Sequence, residues 1–313
     1  MLRHPERVPR AASAADRSEE PYVRYDAPSA ALADAITGYH VYTAANADKR
    51  VDWFLPAGAD ICVALDAGPI ALSMRRRTYD PLPNVALLGP SSQAFRAVTH
   101  GGTLIGVGLT ALGWSRLFRR PASEYRDRVA PLAEVLSPPL AEELRAMLAA
   151  TDRDTLVKPT LDAFFQRHMG PPPADASQIR RLMQLIVDET VEGPATLALK
   201  LGVPAHTLRR LTTRYFGYPP KVLLVRARFL RSFTRMVAGG ELDYSAIAPI
   251  YYDASHFLRD ARTFLGTTPK RFMAGPTGFL RAILHARAAA LGAPTHALHT
   301  IGPAVLDAPG PAP

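Results

Sequence analysis

Cysteine is almost missing from this chain of 313 residues. The one copy, Cys62, has no partner for an internal disulfide and belongs to no thiolate set for a zinc site. Lying inside the run ICVAL, it reads as a small core hydrophobe. No apolar run approaches the roughly 20 residues that a bilayer-spanning helix needs. Histidine is thin where a metal barrel would want it: between Tyr22 and Leu136 there are only His40 and His100, on separate segments. A metal-binding barrel needs several histidines and a carboxylate converging on one face. The Gly-x-Ser-x-Gly elbow of serine hydrolases is missing. Gly106–Val107–Gly108 lacks the third glycine in phase and the helix that would follow in a dinucleotide site. No catalytic residue, metal ligand or cofactor is therefore expected, and the chain does not read as an enzyme. Residues 1–20 hold no apolar core and include Glu6, Asp16, Glu19 and Glu20, so neither a signal nor a transit peptide fits. A cytoplasmic protein away from the membrane is the expectation.

Acidic residues are also in deficit. Lys and Arg number 37 against 28 Asp and Glu, a formal net charge of +9. The excess is local. Between Ser177 and Phe272 fifteen basic residues face seven acidic ones, which leaves the rest of the chain close to neutral. A basic excess confined to one region suits a phosphate backbone, and its bland alternative is a solvated basic face. Hydrophobic residues make up 48% and charged residues 21%, ordinary for a globular chain long enough for two cores.

Residues 1–21 read as disordered. From Tyr22 to Leu136 short apolar runs are cut by Gly and Pro: DWFLPAG, ADICVALDAG, PIALSMRRRTY, NVALLGP, QAFRAVTHGG and TLIGVGLT. This texture predicts closely spaced strands in a small β-barrel or sandwich. Arg75–Arg76–Arg77 reads as a polar strand edge, or as a contact for an anionic effector. From Ala111 to His168 the apolar spacing turns helical in LGWSRLFRR, PPLAEELRAMLAA and VKPTLDAFFQRHM. These helices either pair across a homodimer or pack on their own barrel. The 22–170 region is read as a β-rich sensing or dimerisation domain with a helical C-terminal part. A stiff Pro-rich linker follows over 171–176.

Past the linker the pattern is wholly helical. Ser177 is placed as the cap of a helix with a stripe of Ile179, Leu182, Met183, Ile186 and Val187. TLALKLG breaks at Gly202, and after the turn Val203–Pro204 a second helix, AHTLRRLTTRYF, ends at Gly217 followed by YPPK. A matching segment, DASHFLRDARTFLG, ends at Gly266 followed by TTPK. With the two glycines aligned, Leu208 falls on Phe257, Arg210 on Arg259, Tyr215 on Phe264 and Pro220 on Pro269. Each copy has a large apolar face and an opposite face of basic and hydrogen-bonding residues. Between them PPKVLLVRARFLRSFTRMV predicts one long helix with a stripe of Val222, Val225, Phe229, Phe233 and Met236. Its arginines at 226, 228, 231 and 235 are expected to be partly solvated, some of them facing phosphates. Pro249 before the second copy predicts that the helix preceding it is short or kinked. One more helix, GFLRAILHARAAAL, precedes an unstructured tail, so 276–313 reads as helix plus disordered tail.

Two helix-turn-helix units about fifty residues apart, each closing on glycine, two residues and Pro-Lys, resemble the AraC/XylS family of transcription regulators over residues 177–275. The layout ahead of them resembles, more weakly, the β-rich sensor domains of that family. The fold expected is α+β: an N-terminal barrel or sandwich with following helices, then an all-α domain of two helix-turn-helix units joined by a long helix. By the resemblance, His206, Arg209 and Arg210 stand where bases are read, and Ser255 and Arg259 hold the equivalent places. Thr213 shares the exposed face, and Arg214 and Arg262 are assigned to phosphates. For Arg259 a salt bridge within the domain is the alternative. The resemblance implies double-stranded DNA as partner, a small-molecule effector, and RNA polymerase if the protein is an activator. The readings from other classes are a basic adaptor or RNA-binding protein, and an enzyme built on the barrel.

Overall fold

Strands buried on both faces build the centre of the first half of the molecule. The computed structural model describes residues 22–44, 49–238, 251 and 253–292. Six strands form one antiparallel sheet in the order β1 (Tyr22–Asp26), β2 (Ile36–Ala44), β9 (Gly102–Leu109), β4 (Ala59–Leu65), β7 (Val85–Leu88) and β10 (Val129–Pro131). Four more form a second sheet in the order β3 (Arg50–Phe54), β8 (Phe95–Thr99), β5 (Ala71–Met74) and β6 (Arg77–Tyr79). The two do not close into a barrel. Of the two expected architectures, the open pair of sheets is the one formed. β1 and β2 carry few turn signals and were not foreseen as separate strands.

Because side chains alternate across a strand, β4 feeds two cores. Ile61, Val63 and Leu65 enter a core that also holds Tyr39, Ile105 and Val107. Cys62 points the other way, into a smaller core with Ile70, Leu72, Met74 and Leu88, so its placement as a buried hydrophobe holds. The first core is covered by helices α1 (Ala111–Leu117), α2 (Pro138–Ala149) and α3 (Val157–His168). Trp114, Leu144, Leu148, Phe164 and Phe165 are buried there at 0–2% exposure. The apolar residues of α2 and α3 thus pack on their own sheet, whereas Leu112 of α1 faces the helical half. The arginine run turns out as a strand edge. Arg75, at φ 54, makes the turn between β5 and β6 and pairs with Asp127 at 3.2 Å, and β6 is the last strand of its sheet.

The helical half comprises α4 (Ala176–Val187), α5 (Pro194–Leu201), α6 (Ala205–Phe216), α7 (Pro220–Ala238), α8 (Ala254–Leu265), α9 (Pro269–Met273) and α10 (Gly278–Leu291). The start of α4 differs from the expected Ser177 cap, since Asp175 is the N-cap residue and makes no side-chain cap bond. Its carboxylate is taken instead by the Tyr215 hydroxyl at 2.8 Å. In α7 the buried stripe is broader than expected. Leu223, Leu224, Ala227 and Leu230 are buried with Phe229, Phe233 and Met236, whereas Val222 and Val225 are only half-buried. A helix wrapped on several sides needs more than one apolar row. The expected kink at Pro249, the disordered 1–21 and the tail beyond Gly292 lie outside the described residues.

The position of α10 was not foreseen. Its stripe of Phe279, Leu280 and Ile283 packs on β1 and β3, back on the N-terminal half. Asp52 of β3, 3% exposed, accepts from the Phe279 backbone N–H at 3.0 Å and from Arg50 Nε at 2.8 Å. Trp53 donates its backbone N–H to the Pro276 carbonyl at 2.9 Å. A carboxylate at a helix N-terminus satisfies orphan donors and meets the positive end of the helix dipole. Asp52→Ala is expected to lower stability by about 1–3 kcal/mol and to speed amide exchange throughout α10. Hydrogen exchange by mass spectrometry reads both, and an unchanged α10 would show that its apolar face alone holds it.

Candidate nucleic-acid interface

A helix, a left-handed glycine and a second helix make the first unit. α5 ends at Gly202 with φ 71, and α6 starts after Val203–Pro204. Pro204 occupies the N-cap. The apolar face of α6 buries Leu208, Leu211, Thr212 and Tyr215, and Gly217 closes it at φ 83. His206, Arg209, Arg210 and Arg214 are exposed and Thr213 is half-buried. Arg210 reaches Asp175 at 3.4 Å, and Arg214 lies over the Tyr215 ring at 5.6 Å.

The second copy repeats this plan in α8. Asp253 caps it, accepting from the His256 N–H at 2.6 Å, and Gly266 closes it at φ 75. Phe257, Ala261, Phe264 and Leu265 are buried, while Ser255, Arg259 and Arg262 are exposed. The salt bridge considered for Arg259 does not form among the described residues. Arg209, Arg259 and Arg262 make no ion pair among the described residues. The segment before α8 is not among the described residues, apart from Tyr251, so the second unit is described only through its second helix.

The expected partial solvation of the α7 arginines holds for three of them: Arg226 is buried, Arg228 and Arg231 are half-buried and Arg235 is exposed. Arg228 pairs with Asp260 at 3.0 Å, and Tyr251 also donates to Asp260, at 2.9 Å. Arg231 donates to the Val187 carbonyl at 2.6 Å, and Arg235 pairs with Glu189 at 3.0 Å. Arg226 is 3% exposed, lies over the Tyr218 ring at 5.0 Å and donates to the Ser91 carbonyl at 2.5 Å. Burial pushes its guanidinium below the usual arginine value. Arg226, Arg228 and Arg231 are thus engaged within the fold, whereas the Arg235 pair lies at the surface.

One loop that sequence reasoning missed touches the C-terminal ends of both exposed-arginine helices. It runs from Gly89 to Ala94, between β7 and β8. Its Pro90 carbonyl accepts from the Tyr218 hydroxyl at 2.7 Å, just past α6. A side chain added at Gly217 would come within 3.3 Å of the Pro90 ring. At the end of α8, Gln93 Nε2 donates to the Thr263 carbonyl at 2.9 Å and Ala94 N–H to the Phe264 carbonyl at 2.7 Å. No local pattern marks these contacts, which span more than 120 positions along the chain.

Architecturally, the described residues define a two-part α+β chain: a pair of β-sheets, and a helical half with one complete helix-turn-helix and a second matching helix. Among solved structures, this chain resembles an apo lysine-to-alanine variant of ToxT from Vibrio cholerae at 13% identity and a TM-score of 0.45, over 77% of this chain and 97% of that one. It resembles unsaturated fatty acid-bound wild-type ToxT from the same organism at 14% identity and a TM-score of 0.44, over 84% and 98%. The AraC-like transcriptional activator CuxR matches at 12% identity and a TM-score of 0.22, over 71% and 89%. No family model and no curated protein matches the chain.

Proposed function

We propose that the chain is a sequence-specific DNA-binding regulator of transcription, with a sensing N-terminal half. The observation that carries this reading is the repeat of one exposed face. Arg210 and Arg259 occupy the same register of two helices of equal length, each closed by a left-handed glycine, and both are exposed. His206 and Ser255 match in the same way, as do Thr213 and Arg262. Arginine presented from a short helix can take guanine bidentately in the major groove. The loop Gly89–Ala94, fixed to the ends of both helices, gives the N-terminal half a mechanical hold on their spacing. RNA polymerase is the further partner if regulation is by activation. The single-stranded RNA reading is disfavoured because the large aromatics of both helices lie on the buried side, where bases cannot stack on them.

Selection of bound fragments from a random DNA pool tests this. A shared sequence is expected, and Arg209→Ala should weaken binding to it by about 1–3 kcal/mol with much less change on unrelated DNA. Equal losses on both would reduce Arg209 to a phosphate contact. Recovery of no common sequence, with tighter binding to single-stranded RNA, would replace the regulator by the RNA-binding reading.

A further inference from the structure

A cavity of about 150 Å³ lies between the two sheets and beneath α10. Most of its wall is apolar, built from Leu72, Met74, Leu88, Phe95, Leu280 and Ile283. Three polar atoms among its lining residues are buried without any hydrogen-bond partner: His40 Nδ1, Thr99 Oγ1 and Arg287 Nε. Buried polar groups in folded proteins are nearly always paired, so three orphans around one void call for an occupant.

The charge in the cavity narrows the choice. Arg287 is 4% exposed, and a guanidinium does not lose its proton in a protein. Its guanidinium carbon lies 4.9 Å from the Tyr25 ring centroid and it hydrogen-bonds the Tyr25 side chain, but no ion pair holds it among the described residues. The carboxylate that acts on it, Asp60, is already engaged by His40 Nε2 at 3.1 Å and lies near Cys62 Sγ at 3.7 Å. Burial lowers the Arg287 guanidinium from its ordinary value, which marks a cation held without full compensation. A lone water would answer one orphan and leave the apolar wall bare, whereas a dry void of this size accepts a molecule as large as benzene.

We propose that this cavity binds a small organic anion, with a carboxylate or sulfonate head on Arg287 and His40 and a short alkyl or single-ring body against the sheets. The proposal names the class of ligand for the sensing half and rests on the regulator reading only for its effect on DNA. α10 follows the second arginine-bearing helix in the chain, and Gly89 and Ser91 of the loop described above also line the cavity. Occupancy therefore meets two of the connections between the halves.

Titration calorimetry on the full chain with hexanoate, hexanesulfonate, hexanol and hexylammonium is the test. The two anions are expected to bind at least about tenfold tighter than hexanol, and the cation not at all. Arg287→Gln should abolish the preference for anions and leave hexanol binding unchanged, and Arg287→Lys should keep most of it. Ala97→Leu, which fills the void, should remove binding of every probe while the protein still melts cooperatively. Equal affinity for hexanoate and hexanol, no binding of any probe, or an anion preference that survives Arg287→Gln or Ala97→Leu would overturn the proposal. Hexanoate binding by a protein that selects no DNA would leave the site standing and remove the regulator reading.

Discussion

Replacing Phe229 with alanine is expected to destabilise the protein by about 3–5 kcal/mol. The side chain is fully buried at the middle of α7, and its ring is the hub of the helical half. The Phe264, Phe257 and Phe233 rings sit with centroids 5.3, 5.5 and 5.7 Å away. Truncation costs the transfer energy of the ring, the offset contacts to three aromatics, and the void left behind. Two of those partners, Phe257 and Phe264, belong to α8, so the seat of Arg259 and Arg262 is loosened first. Urea unfolding gives the total, and hydrogen exchange shows whether α8 loses protection ahead of the sheets. A loss below about 1 kcal/mol would mean that neighbouring side chains collapse into the gap and that α8 is held by other contacts.

Asp260→Ala is the second large effect, expected at about 3–5 kcal/mol. Asp260 is 8% exposed and serves two donors, Arg228 at 3.0 Å and the Tyr251 hydroxyl at 2.9 Å. Removing it leaves the guanidinium of Arg228, stacked over the Tyr251 ring at 4.8 Å, partly buried without a counter-ion. Most of the cost is that stranded charge, not the worth of the pair. Arg228→Met in the Asp260→Ala background should therefore recover a large part of the loss. A double variant no better than Asp260→Ala alone would assign the cost to the Tyr251 hydroxyl or to α8 itself. Since Asp260 is buried and Arg259 exposed, the proposed contact of Arg259 with DNA should fail only through loosening of the helix.

Helix ends were plainly written in the chain. Gly202, Gly217 and Gly266 all adopt the left-handed conformation expected of them, because no other residue closes a helix there at so little cost. Asp253 caps α8, since a short carboxylate reaches the third N–H whatever surrounds it. The exposed faces of α6 and α8 follow from spacing alone, because one apolar stripe on a short helix dictates its opposite. Thr212 and Ala261, both fully buried, show the same stripe tolerating small residues. Spacing could not tell which arginines would stay free. Those of α7 lie at helical positions much like those of α6, yet Arg226 and Arg228 are drawn inward by Ser91 and Asp260, one from the other half of the molecule and one from the next helix.

Sequence by itself determined the local grammar: a strand-rich first half, helices with their stops, and two matching basic faces. Each of these depends on forces acting within one turn or one strand, so the residues that decide them are neighbours along the chain. Only tertiary structure decided that α10 returns to the sheets, that the loop Gly89–Ala94 clasps both arginine-bearing helices, and that Arg287 stands over an apolar void without an ion pair among the described residues. Those outcomes come from surfaces meeting across more than a hundred residues of chain. There shape and desolvation select the partner, and no short pattern records the choice.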